Sequence, residues 1–267
     1  MLLDTHAHLY SAKFDRDRDE MLQRAIDAGV EGFYLPNIDL ASIEGMLALT
    51  DRYPERVFPM MGLHPCDVKA GFREQLSEIE SWLDRREFCA VGEIGIDLYW
   101  DKTYVQEQIE AFQMQCGWAV RRGLPICIHS RESIDLILEL LEEMPEAQRP
   151  TGVFHCFTGT LAQADRILDL GFKMGLGGVL TFKNSGLDKV AVDLPLDSLI
   201  LETDAPYLAP TPYRGKRNES SYIPLVAQKL ADIKGISVEE VARATTANGF
   251  ALFGTNDFLR KRFGDIA

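Results

Sequence analysis

The 267-residue chain predicts a closed (β/α)8 TIM barrel, one domain over 1–267, with extra helices after the eighth strand. Three observations lead there. Eight short apolar runs alternate with segments of helical period, mostly about 25–35 residues apart, the size of a βα unit. The length suits one barrel of about 250 residues. No strand is followed by G-x-G-x-x-G or G-x-x-x-x-G-K-[ST], the phosphate loops that would favour a doubly wound open sheet, the other layout available to eight alternating units.

The strands are expected over 2–8, 32–36, 57–63, 89–94, 125–129, 152–155, 172–176 and 198–202. Between them, apolar residues recur at i, i+3, i+4 and i+7. Val105, Ile109, Phe112 and Cys116 mark one helix face, and Ile134, Ile137, Leu138 and Leu141 another, with Ser130 as its N-cap and Glu139, Glu142 and Glu143 off the apolar stripe. A helix over 160–170 stops at Gly171, where a left-handed residue is wanted. Two more helices are expected over 222–233 and 238–253, followed by the basic stretch Arg260-Lys261-Arg262. No linker, low-complexity segment or internal repeat interrupts the chain.

Hydrophobic residues make up 46% and charged residues 26%, a soluble globular composition. No apolar run approaches the roughly 18–20 residues of a membrane span, and no signal peptide is apparent, so a cytoplasmic protein without a membrane partner is expected. Five scattered cysteines without C-x-x-C spacing argue against a disulfide framework or a thiolate zinc site. The net charge of −13 argues against broad, sequence-independent adhesion to nucleic acid or anionic lipid, and leaves an acidic substrate open.

The five histidines, His6, His8, His64, His129 and His155, each fall at the C-terminal end of an expected strand. In a parallel barrel those ends open on one face, which carries the active site in this fold. In Asp4-Thr5-His6-Ala7-His8 an extended strand turns both imidazoles to the same side. Such a pair alone need bind nothing, so its neighbours decide. His64, in Gly62-Leu63-His64-Pro65, either caps its strand or meets metal or substrate. Glu93, set among Val91, Gly92, Ile94 and Gly95, would be costly to bury unpaired, so it is expected to be a ligand instead of a structural partner of an arginine. His129 and His155 close the fifth and sixth strands, and Cys127 shares the inward face of His129 as a small residue below the site. In Glu202-Thr203-Asp204, Asp204 is expected to face the pocket as ligand and proton acceptor, with Glu202 orienting a ligand from behind.

Together His6, His8, Glu93, His129, His155 and Asp204 offer enough nitrogen and carboxylate donors for two divalent ions sharing one carboxylate. Two metals about 3.5–4 Å apart suit hydrolysis, one activating a water and the other stabilising charge on the substrate oxygen. The loop 212–218 carries Arg214, Lys216 and Arg217 in an otherwise acidic protein. It is either a solvated surface loop or, with Arg131, a phosphate clamp. Tyr99, Trp100, Phe157 and Tyr207 near the strand ends could stack on bases or simply pack.

Asp4-x-His6-x-His8, Gly62-Leu63-His64-Pro65, Gly92-Glu93-Ile94-Gly95-Ile96-Asp97, His129-Ser130-Arg131, His155-Cys156-Phe157-Thr158-Gly159, Glu202-Thr203-Asp204-Ala205-Pro206-Tyr207-Leu208 and Arg214-Gly215-Lys216-Arg217-Asn218, in this order, make the chain resemble the TatD family of metal-dependent deoxyribonucleases, within the amidohydrolase-like barrels. The resemblance implies one metal on His6, His8, Glu93 and Asp204 and a second on Glu93, His129 and His155, with His64 and Arg131 near the scissile phosphate. It implies cleavage of DNA, often as a 3′ exonuclease, with magnesium, manganese or zinc; some relatives instead remove D-amino acids from tRNA. Two positions depart from the family pattern: Leu9-Tyr10-Ser11 stands where an acidic residue is common, and Ser220 where a proline commonly follows position 219.

The expected function is therefore metal-dependent hydrolysis of DNA phosphodiester bonds at single strands or ends, by a monomer. A hydroxide held by two metals would attack phosphorus in line, its proton passing to Asp204. Glu93 would bridge the metals, and Arg131, His64, Arg214, Lys216, Arg217 and Tyr207 would meet the substrate. The alternatives are a metal-dependent deacylase of D-aminoacyl-tRNA or another ester or amide hydrolase, and a non-catalytic scaffold with a relict site. Six intact ligands weigh against the scaffold.

Overall fold

The computed structural model describes residues 1–254. Arg260, Lys261 and Arg262 lie outside the described residues. Eight parallel strands are present among them: β1 (Leu2–Asp4), β2 (Val30–Pro36), β3 (Val57–Met60), β4 (Val91–Asp97), β5 (Ile126–Arg131), β6 (Gly152–Phe154), β7 (Lys173–Leu176) and β8 (Leu199–Leu201). They pair in sequence order, β1 to β3 and β4 to β8. Both seams between the two runs are bridged by backbone hydrogen bonds. At the first, Met61 N–H donates to Ala90 O (3.2 Å) and Gly92 N–H to Met61 O (3.1 Å). At the second, Thr5 N–H donates to Leu201 O (3.1 Å), His8 N–H to Ala205 O (2.7 Å) and Asp204 N–H to His6 O (2.9 Å). The ring is closed, as the eight-unit pattern predicted.

The helices α1 (Arg18–Asp27), α2 (Ser42–Arg52), α3 (Phe72–Leu83), α4 (Val105–Arg122), α5 (Ile134–Glu143), α6 (Leu161–Asp169), α7 (Leu187–Ala191), α8 (Ile223–Lys234) and α9 (Val238–Phe253) follow. Their apolar stripes bury Met21, Leu22 and Ala25 of α1, and Ile137, Leu138 and Leu141 of α5, against the outside of the strands. Each fully buried aliphatic side chain of this kind contributes about 1.5–3 kcal/mol. A second cluster, with Leu3, Tyr34, Phe58, Met60, Cys127, Val153 and Ile200 from alternate strand positions, packs together with Phe250 and Phe253 of α9. Asn248 of α9 donates to Leu196 O and Leu199 O at the start of β8, so this helix stoppers the end of the barrel opposite the histidines. Thus α9 closes the bottom while the top stays open, and α8 packs with the covering helices. No helix of the described residues is long and apolar enough to cross a membrane.

Several boundaries differ from the sequence reading: β1 ends at Asp4 and β3 at Met60, short of the expected 8 and 63, so His6, His8 and His64 lie in the segments that follow their strands, β4 runs on to Asp97, and the start of α5 moves. Ser130 lies inside β5, opposite Ile96 of β4, and α5 begins at Ile134 after Ser133. The long β4 keeps its neighbour extended through Arg131, so the helix starts three residues later. The helix expected over 160–170 does carry a full capping box, Thr160 with Gln163, and ends at Gly171 with φ +77°.

Candidate metal centre

Glu93 occupies the middle of the open face, buried, with its two carboxylate oxygens turned to different partners. Oε2 lies 3.2 Å from His6 Nε2 and 3.6 Å from His8 Nε2. Oε1 lies 2.9 Å from His129 Nδ1, 3.3 Å from His155 Nε2 and 3.4 Å from His64 Nε2. Asp204 Oδ1 adds to the first group, 3.5 Å from His8 Nε2 and 3.9 Å from His6 Nε2. Donor atoms of His6, His8 and Glu93, and likewise those of His64, Glu93 and His129, come within 4.8 Å of one another. The approach of β4 to β5 depends on Gly95, at φ +147°, where a Cβ would lie 2.0 Å from His129 O.

The donor set fits a divalent cation. His6 Nε2 is buried and makes no hydrogen bond, although Glu93 Oε2 is 3.2 Å away. The two atoms are poorly aligned for each other and both border one small space that a cation would satisfy. Burial, and then the neighbouring His155, depress the pKa of His6 and keep it neutral, the form that coordinates. Burial alone would raise the Glu93 carboxyl, but His64, His6 and His155, with a hydrogen bond from His129, hold it well below the usual range.

The outer nitrogens of the imidazoles are held in turn. Tyr10 Oη donates to Pro36 O (2.6 Å), so toward His8 Nδ1, 3.0 Å away, it can only accept. That places the His8 proton on Nδ1 and leaves the Nε2 lone pair facing the site. His155 Nδ1 lies 3.1 Å from Glu202 Oε1, which also accepts from Cys156 N–H. Burial opposes protonation of His155, but Glu202 and Glu93 raise it well above the ordinary value. Glu202 in turn fits only because residue 175 is glycine, since a Cβ there would lie 2.2 Å from Glu202 Oε2. His129 Nε2 lies 2.9 Å from Asp97 Oδ2, which turns Nδ1 to Glu93. His6 Nδ1 lies 3.2 Å from Cys127 Sγ. Supports of this kind orient ligands and raise their basicity.

His64 differs from the other four. Its Nδ1 accepts from Cys66 N–H (3.1 Å), so the neutral ring carries its proton on Nε2 and presents a donor to the site. Burial depresses its pKa and favours that neutral form. This geometry suits contact with an anionic substrate better than metal ligation.

Asp4, the first residue of the motif, is not among these groups. It accepts from Thr203 N–H (2.9 Å), Thr203 Oγ1 (2.6 Å) and Ser220 Oγ (2.6 Å), and burial raises its pKa to about 7. It braces the turn that presents Asp204 in the left-handed region, φ +57°.

The cavity over this centre is about 730 Å³, and Arg131, Arg214, Lys216 and Tyr207 line it along with His8, His64, Glu93, His129, His155 and Asp204. Arg217 does not. Its Nη1 and Nη2 hold Asp17 at 2.6 and 2.7 Å, and Nη2 lies 3.6 Å from Glu219, so it ties the loop to the segment before α1. The expected three-cation loop therefore offers two cations to the cavity. Phe157 is fully buried and belongs to the core. Asp97 and Tyr10 were not expected as site residues. Asp97 ends the Gly92–Asp97 run, which is the signal it carried, whereas Tyr10 meets His8 through the turn closed by Ser11 N–H on His8 O (3.0 Å).

Three comparisons bear on this arrangement. A family profile described as TatD related DNase matches residues 3–254. The chain is 37% identical over 257 residues to the uncharacterized metal-dependent hydrolase YabD of Bacillus subtilis, covering 96% of this chain and all of that protein. It is 32% identical over 258 residues to the 3′-5′ ssDNA/RNA exonuclease TatD of Salmonella typhimurium, covering 94% and 98%. Among solved structures, YjjV, a TatD homologue from Escherichia coli, superposes with a TM-score of 0.86 at 33% identity, covering 96% of this chain and 98% of that one. With the carboxylate and imidazole centre at the open end of its barrel, the chain belongs to the TatD-related DNase family of metal-dependent hydrolases.

Proposed function

We propose that the protein hydrolyses phosphodiester bonds of DNA from the 3′ end of single strands, using two divalent ions. The observation that carries this reading is the division of Glu93, one oxygen toward His6 and His8 and the other toward His129 and His155. Asp204 would complete the first site. Magnesium, manganese or zinc at such a pair supplies an activated water and positive charge at the phosphate.

The chain's own residues supply the rest. Asp204, beside His8 and open to the cavity, accepts the proton of the attacking water. His64 Nε2–H donates to a non-bridging oxygen, and Arg131, Arg214 and Lys216 balance the charge that builds on the phosphate. The name of the Salmonella typhimurium relative supports a nucleic-acid substrate.

The test is cleavage of a 3′-labelled single strand across a magnesium, manganese and zinc series, with D-aminoacyl-tRNA and simple esters in parallel. Release of the 3′ label as a mononucleotide, and little turnover of the other two substrates, is expected. Preferential cleavage of the tRNA ester would overturn the reading, and Asp204→Asn with full metal content and parental activity would remove the proton-acceptor role.

A further inference from the structure

Four of the large hydrophobic side chains exposed among the described residues gather at the mouth of the metal cavity: Tyr99 (49%), Trp100 (69%), Tyr207 (45%) and Leu208 (40%). Trp100 and Tyr207 line the cavity itself, and Tyr99 packs edge-on against Trp100 at 4.9 Å. Single exposed apolar residues need no explanation, but a group at the rim of a site marks a contact surface.

Two cations stand over these rings. Arg131 lies over the Tyr99 ring at 4.1 Å and the Trp100 ring at 5.4 Å, and Lys13 lies over Tyr207 at 4.4 Å. Neither has a carboxylate within 4.0 Å among the described residues, whereas Arg24, Arg73, Arg166 and Arg217 elsewhere on the surface are all ion-paired. In an acidic protein these two charges are left free for an outside anion, each next to a planar ring.

Asp97 joins this patch to the metal centre. Its Oδ2 holds His129 at 2.9 Å, while its Oδ1 accepts from Tyr99 N–H (2.9 Å) and Trp100 N–H (3.0 Å). One carboxylate therefore fixes both a metal-facing imidazole and the turn that displays the indole.

We infer that Trp100, with Tyr99 and Arg131, forms a platform on which the nucleobase next to the metal-held phosphate stacks, Arg131 meeting that nucleotide's phosphate. This rests on the phosphodiester reading of the site. Every base has a π-face, so the platform selects unpaired bases over a duplex while tolerating sequence. Tyr207, with Lys13 over its ring, lines the same cavity and offers the strand a second contact.

The test is binding of a short phosphorothioate oligothymidylate, read by fluorescence anisotropy with magnesium present. Trp100→Ala is expected to weaken binding about tenfold and Trp100→Phe to stay within about threefold of the parent. An abasic strand with the same backbone is expected to bind the parent and Trp100→Ala alike. Unchanged affinity of Trp100→Ala for oligothymidylate, or an equal loss for the abasic strand, would overturn the platform. No bond is broken in this measurement, so it decides the platform independently of cleavage of the unmodified strand, which decides the phosphodiester reading.

Discussion

Tyr10 holds His8 in one tautomer: its hydroxyl gives its proton to Pro36 O at 2.6 Å and accepts from His8 Nδ1 at 3.0 Å. A phenol thus fixes the proton by geometry, without a charge. Tyr10→Phe removes that acceptor without a change of ring volume. Affinity for divalent metal is expected to fall about 10- to 100-fold, measured by titration calorimetry, with an unchanged circular dichroism spectrum.

If Glu93 serves two ions, as proposed, mutations at Glu93 and at the histidines on one side of it should differ in effect. His6→Ala is expected to lose one bound ion and keep the other, because His129 and His155 still face Glu93 Oε1. Glu93→Gln is expected to lose both. Metal content by mass spectrometry after dialysis separates the outcomes, and loss of both ions in His6→Ala would contradict the division.

Cys127 supports His6 from below, with Sγ 3.2 Å from Nδ1 and both side chains buried. Cys127→Ala leaves a buried ring N–H without an acceptor, at about 1–3 kcal/mol. A lowered denaturation midpoint is expected, together with weaker metal binding. Cys127→Ser, which keeps an acceptor, is expected to recover most of the metal affinity.

The two arginines of the 212–218 loop are expected to separate in function. Arg214 faces the cavity, and its replacement by Ala should lower kcat/KM for oligonucleotide about tenfold or more, the scale of one lost charge-assisted contact. Arg217→Ala should leave kcat/KM nearly unchanged and cost about 0.2–1 kcal/mol of stability, because its pairs are partly exposed. Arg217, and then Arg24, hold the Asp17 carboxyl well below its ordinary range. The folded value is the lower one, so the stabilisation is present above the unfolded pKa of about 3.9 and fades as pH falls. Wild type and Arg217→Ala should therefore differ in melting temperature at pH 7 and converge in strong acid.

The barrel and the metal-facing residues were legible because both follow local rules. Short apolar runs at βα spacing gave the strands, and each histidine stood at the C-terminal end of one. The role of Arg217 was not legible, because its partner Asp17 lies 200 positions away and nothing local distinguishes a free arginine from a paired one. Ser130 was expected to cap α5, but its pairing with Ile96 keeps it in β5 and the cap falls at Ser133. Tyr10 and Ser220 stood out as departures from a family pattern; the contact of Tyr10 with His8 is local, whereas the bond from Ser220 to Asp4 spans 216 positions and no local rule gives it.

The seam between β1 and β8 sets the order in which this protein can become active. Asp4 and Thr203, which join there, are 199 positions apart, and the same seam brings His6 and His8 to Asp204. During synthesis the N-terminal histidines emerge first and wait for almost the whole chain before their carboxylate partner arrives. Until the last strand docks, Asp204 is missing from beside His6 and His8, so an unfinished or truncated chain holds only part of the centre and closure of the ring is the step that assembles it.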